Sequence, residues 1–109
     1  MATTYKVLGQ SSPNATTETD LYTVGAGKSA VVSTISVANR AATDATFRIS
    51  IAVGGGATAN KDYVAYDVTC PGNGVNYFTL GISLAATDKI KVYASTANLS
   101  FNAFGTEIA

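Results

Sequence analysis

The chain has no histidine and a single cysteine among its 109 residues, and only 13% of them are charged. Each shortage removes a class of function. Without histidine no side chain has an ordinary pKa near neutrality, and no imidazole can activate a serine. A zinc site would find at most one sulfur, that of Cys70, and no imidazole. One cysteine also forms no internal disulfide, so no disulfide framework holds the fold.

No stretch approaches the length and apolarity of a membrane span, and the first residues, Met1 to Lys6, lack the apolar run of a secretion signal. Synthesis in a reducing cytosol is expected. Seven basic and seven acidic residues cancel. Phosphate backbones are held by clustered cations, whereas Lys6, Lys28, Arg40, Arg48, Lys61, Lys89 and Lys91 are scattered with no two adjacent. Neither nucleic acid nor a membrane is an expected partner.

What the chain has is alternation. Phe47-Arg48-Ile49-Ser50-Ile51-Ala52-Val53 places apolar residues at every second position, the mark of a strand with one face in a core. Its other positions are mostly small and uncharged, where free domains carry about 25% charge. Such an outer face suits contact with other protein.

The same rhythm recurs over residues 4–10, 20–24, 29–39, 45–53, 62–70, 75–84, 88–95 and 99–108, separated by Gly-rich or polar turns. Eight strands in one domain predict an all-β fold, a single antiparallel β-sandwich of jelly-roll or immunoglobulin-like topology. Residues 1–17 read as an N-terminal strand or arm with its loop, and 18–109 as the sandwich. Parity assigns a core of Val31, Ile35 and Val37; Phe47, Ile49, Ile51 and Val53; Val64, Tyr66, Val68 and Cys70; Phe78, Leu80, Ile82 and Leu84; Ile90 and Val92; and Leu99 and Phe101. Phe104 has the opposite parity to Phe101, which calls for a bulge near Ala103 or a place for Phe104 at an interface.

Gly25-Ala26-Gly27-Lys28-Ser29 ends like a phosphate-binding loop. The motif needs a glycine where Tyr22 stands, and a helix where Ala30 to Ile35 are strand-like. A hairpin turn is the reading, and nucleotide binding is rejected. Cys70 falls on an inward position and is expected to be a buried structural thiol. Asp62 and Asp67 point to opposite faces of a strand, and Glu18 and Asp20 flank a loop. No catalytic carboxylate pair emerges, and no enzyme, cofactor or metal is expected.

Three tyrosines, Tyr63, Tyr77 and Tyr93, have outward parity, while Tyr66 points in. Outward tyrosines anchor protein interfaces or stack on sugars, although strands also favour tyrosine on any half-buried surface.

The segments Leu21-Tyr22-Thr23-Val24-Gly25-Ala26-Gly27-Lys28-Ser29-Ala30-Val31-Val32-Ser33, Val37-Ala38-Asn39-Arg40, and Val92 to Ile108 carry a resemblance. The chain resembles small virion structural proteins of tailed bacteriophages, including cyanophages and related marine phages. It departs from them at Gly25, where proline is common, and at Thr87, where glycine is frequent. The resemblance implies a non-enzymatic virion component. The form it favours is a head decoration, or cement, protein bound as a homotrimer to the major capsid protein on the outer capsid surface. The alternative is a tail fibre or baseplate accessory that touches host glycans.

Under that reading Ala2 to Thr17 is an arm reaching a neighbour, and the Gly-rich loop at residues 54–60 is a second contact. The expected interface residues are Tyr5, Lys6, Val7, Tyr63, Tyr77, Tyr93 and Phe104.

Overall fold

A computed structural model describes residues 2–109, and they form an all-β sandwich. The strands are β1 (Thr3–Ser11), β2 (Thr19–Thr23), β3 (Ser29–Asn39), β4 (Ala45–Ala52), β5 (Tyr63–Cys70), β6 (Val75–Phe78), β7 (Ile82–Leu84), β8 (Lys89–Ala94) and β9 (Leu99–Ile108). Sheet I has the order β1-β9-β3-β6, with β7 also paired to β3. Sheet II has the order β2-β8-β4-β5. All pairings are antiparallel.

The pairings nest. β1 pairs β9, β2 pairs β8, β3 pairs β6 and β7, and β4 pairs β5. That is one long hairpin folded over into two sheets, the jelly-roll arrangement, which settles the choice that alternation alone left open. The chain therefore changes sheet at nearly every turn. Gly25 to Lys28, read from sequence as a hairpin turn, instead carries the chain from β2 in sheet II to β3 in sheet I. The Lys28 N–H donates to the Gly25 carbonyl at 3.2 Å, and Gly27 takes φ +74°. No helix follows the turn.

The core lies between the sheets around Phe47, Phe101, Ile35, Ile49, Ile90, Leu99, Val37 and Val92, all fully buried. Phe47 of sheet II meets Phe78 and Phe101 of sheet I edge-on, with ring centroids 5.7 and 6.0 Å away. Cys70 is buried, as expected, and burial pushes its thiol pKa up.

Several inward assignments fail because strands bulge. Ser33 is an extra residue between the β3–β9 partners Val32 and Thr34, so Val32 turns in and Val31 out. In β5, Tyr66 and Asp67 together oppose Arg48, and Val64 is extra between Ala65 and Tyr63. Ala65 takes the inward place, and Val64 and Tyr66 face solvent. The expected strand 75–84 breaks at residues 79–81, where Gly81 has φ +61°, leaving Leu80 exposed and nine strands rather than eight among the described residues. Phe104 needs no bulge in β9. The bulges lie in its neighbours, at Leu8 in β1 and Ser33 in β3, while β9 alternates regularly and turns Phe104 outward.

The segment Phe47 to Val53 also departs from strict alternation. Ile51 is half-buried, and Val53 lies exposed in a short 3-10 turn, Val53–Gly55. Ser50 and Ala52 are buried although they lie on the outer face, where the turn Asn60–Asp62 packs against β4. The N-terminal segment is no free arm: Thr3–Ser11 is a strand of the chain's own sheet.

The β1 and β2 backbones approach so closely that a Cβ on Gly9 would strike the Leu21 carbonyl. Gly9→Ala is expected to cost about 2 kcal/mol by overpacking. Thr87, a β-branched residue, is held at φ +70°, a region that disfavours it strongly. Thr87→Gly is expected to add about 0.5–1 kcal/mol, the relief outweighing the greater freedom of the unfolded chain. Urea unfolding midpoints at unchanged slope measure both.

Candidate functional site

The outer face of sheet I carries no charged residue on any of its strands. Residues paired across antiparallel strands share a face, so the register reads the face off row by row. Tyr5, Thr106 and Val31 form one row, and Val7, Phe104 and Thr34 the next. Gln10, Asn102, Ser36 and Tyr77 form a third. Tyr5 is 82% exposed, Tyr77 68%, Val7 47% and Phe104 38%. The first two rows make an apolar end.

The third row makes a polar end. There the Gln10 amide donates to Asn102 Oδ1 at 2.8 Å. An open cleft of about 350 Å³ follows where β1 stops, bordered by Gln10, Ser11, Ser12, Ser100 and Asn102.

Four expected interface residues, Tyr5, Val7, Tyr77 and Phe104, thus share one face. Lys6 does not. It pairs with Gly105 at the opposite parity and reaches Glu107, 3.3 Å away. Glu107 also takes Lys28 at 3.5 Å and accepts the Tyr22 hydroxyl at 2.8 Å. This cluster closes the slot between the sheets, since Tyr22 comes from sheet II and Glu107 from sheet I. Burial and the Glu107 carboxylate push the Tyr22 phenol up to about 12, while the hydrogen bond from Tyr22 holds the Glu107 pKa low.

The remaining expected residues, Tyr63 and Tyr93, lie on the outer face of sheet II, a different surface from that of Tyr77. That face is charged, and its charges are matched. Arg48 Nε donates to Asp67 Oδ1 at 2.7 Å, Lys89 meets Asp20 at 2.9 Å, and Lys91 meets Glu18 at 3.8 Å. The Arg48 guanidinium lies over the rings of Tyr66 and Tyr93, 4.3 and 4.5 Å from their centroids, and Tyr63 abuts Tyr66 edge-on at 4.8 Å. The hydrogen bonds to Asp67, above all, raise the Arg48 pKa further.

Sequence reasoning missed Tyr66 and Asp67 here. The one available signal was Arg48 itself, a charge at an outward strand position that needed a carboxylate. The carboxylate came through a bulge that alternation does not reveal.

The loop at residues 54–60 is tied down rather than projecting. Gly54 N–H donates to Asp88 Oδ1 at 2.8 Å, the Gly56 carbonyl accepts from Lys91 at 3.2 Å, and Thr58 donates to Glu18 at 2.9 Å. Asp62 lies beyond it in the turn Asn60–Asp62, where the Ala59 N–H, its main stabiliser, holds its pKa low. Among the described residues no three of His, Cys, Asp or Glu gather as a metal site requires.

No protein-family model matches the chain, and no curated protein matches it. The surfaces must be read on their own chemistry.

The Tyr22–Glu107 contact predicts a pH dependence with two limbs. Glu107 is depressed in the folded state, so its contribution holds above its unfolded pKa and fades as pH falls through the folded value. Tyr22 is raised from 10.0 to about 12, so its contribution holds below the unfolded value and fades as pH climbs toward the folded one. Spectrophotometric titration should find one of the six tyrosines ionising late, and Tyr22→Phe should remove that step. A titration unchanged in the variant would show that the late step belongs elsewhere.

Proposed function

We propose that the protein is a non-enzymatic structural component of a phage particle, mounted on other virion protein through the outer face of sheet I. The observation that carries the mounting is the uncharged face with its apolar end at Tyr5, Val7, Val31 and Phe104, and the phage particle comes from the sequence resemblance over residues 21–40 and 92–108. Covering such a face desolvates no ion, and contiguous apolar surface of this kind marks interaction sites.

Strand addition is disfavoured at every edge. β1 bulges at Leu8, β2 at Leu21 and β5 at two places, and the β6–β7 edge is interrupted. Bulges, breaks and inward charges such as Lys6 blunt an edge against further pairing. Face contact is the route left open.

A decoration protein on the head is the favoured form, set as a homotrimer against the capsid protein. The domain exposes 5441 Å². Two contacts with sister subunits and one with the shell, at roughly 800 Å² each, are of standard interface size. Weak contacts repeated around a shell then combine through multivalency.

The test is the location and occupancy of the protein on purified particles, imaged with a specific antibody. Labelling of the head surface is expected, and absence from the particle would overturn the reading. Phe104→Lys places a charge in the middle of the face and should lower occupancy at least tenfold, a loss of about 1.4 kcal/mol, with an unchanged unfolding transition. Light scattering addresses the trimer separately: a strict monomer at high concentration removes it and leaves docking to the shell intact.

A further inference from the structure

We propose that the outer face of sheet II carries a binding site for a neutral saccharide, built on Arg48, Asp67 and Tyr66 and flanked by Tyr63 and Tyr93. The proposal goes beyond mounting on the particle, because this face is the opposite side of the sandwich from the uncharged one and both can be engaged at once.

The local backbone is specialised. Two residues of β5, Tyr66 and Asp67, stand opposite the single residue Arg48 of β4. Both reach the same guanidinium, Tyr66 by stacking at 4.3 Å and Asp67 by hydrogen bonds at 2.7 and 3.4 Å. Asp67 takes φ +50° to do so. A regular β5 would send Tyr66 into the core, where burial of a large side chain stabilises by roughly 1.5–3 kcal/mol. Instead Tyr66 is 55% exposed. An exposed ion pair returns only about 0–1 kcal/mol. Bulges and left-handed residues gather where side chains are re-aimed for binding.

The chemistry presented is that of a polyol site. A guanidinium has five N–H donors. Asp67 takes two, and the others have no acceptor among the described residues. The Asp67 carboxylate, nearly half exposed, keeps acceptor capacity beside them. A vicinal diol matches this pair, one hydroxyl accepting from Arg48 and the other donating to Asp67. The C–H face of a pyranose ring suits the adjacent tyrosine surface.

The ligand is neutral because the pair is already neutral within itself. An anion at the free Arg48 N–H groups would face the Asp67 carboxylate, and a cation at Asp67 would face the Arg48 guanidinium. The neighbouring Lys89 and Lys91 are likewise matched by Asp20 and Glu18.

The test is a ¹⁵N NMR titration of the whole protein with glucose, galactose, mannose and their short oligomers. Saturable shifts at Arg48, Tyr63, Tyr66, Asp67 and Tyr93 are expected for at least one of them. Tyr66→Ala should abolish the binding, and the same spectra report whether that variant folds. Asp67→Asn, which keeps the shape and removes the acceptor charge, should weaken it about tenfold. Tyr77→Ala on the other face should leave it unchanged. No saturable shift with any of these sugars, shifts confined to the Gln10–Asn102 cleft, or binding indifferent to Asp67→Asn in the folded protein would each overturn the proposal. None of these outcomes bears on occupancy of the particle through sheet I, so the two readings fail separately.

Discussion

Phe47 is held between two rings of the facing sheet, and the rest of the sandwich is arranged around that contact. Its ring stands nearly perpendicular to those of Phe78 and Phe101, the geometry in which positive ring edges meet negative faces. Phe47 belongs to β4, near the middle of sheet II, and Phe101 to β9, near the middle of sheet I. The trio therefore fixes both the separation of the sheets and their lateral placement. The branched residues beside it, Ile35, Val37, Ile49, Val92 and Leu99, fill the slot to either side. With the apolar requirement met inside, the outer faces are free to differ.

The elements with unbroken alternation were legible in the sequence. β8 and β9 follow strict period two, and their inward rows, Ile90 and Val92 with Leu99 and Phe101, are buried. Cys70 before Pro71 and the all-β class were equally readable; at Gly25–Lys28 the turn was, but not that it joins the two sheets. Bulges were not. One extra residue at Ser33 exchanges Val31 for Val32, and extra residues in β5 exchange Tyr66 and Val64 for Ala65. Period two carries no memory of where it resets, because the resetting residue is chosen by contacts with the neighbouring strand. Nor does alternation show cover from above, so Ser50 and Ala52 read as surface yet are buried, with the turn Asn60–Asp62 packed against β4.

These resets fall in the edge strands β1, β2 and β5 and in the interior strand β3. Both neighbours of β9 bulge near Phe104. That leaves an apolar residue facing out from a strand that is itself regular. In sheet II the bulge of the edge strand β5 does the reverse, adding a ring and a carboxylate to one arginine. The same device blunts an edge and furnishes a face.

Low charge, the feature that first set this chain apart, is a matter of distribution as much as amount. If composition had simply drifted toward neutral residues, both outer faces would be thinned alike. Instead the outer face of sheet II carries Arg48, Asp67, Asp20, Lys89 and Lys91, with Glu18 beside them, each matched to an opposite charge, while the outer face of sheet I carries none among the described residues. Lys6 and Glu107, the two charges of β1 and β9, have the opposite parity and pair with each other, and Glu107 also accepts the Tyr22 hydroxyl. A face from which even the resident charges of its own strands are directed away can be covered without desolvating an ion. The opposite face keeps its ions at work in solvent.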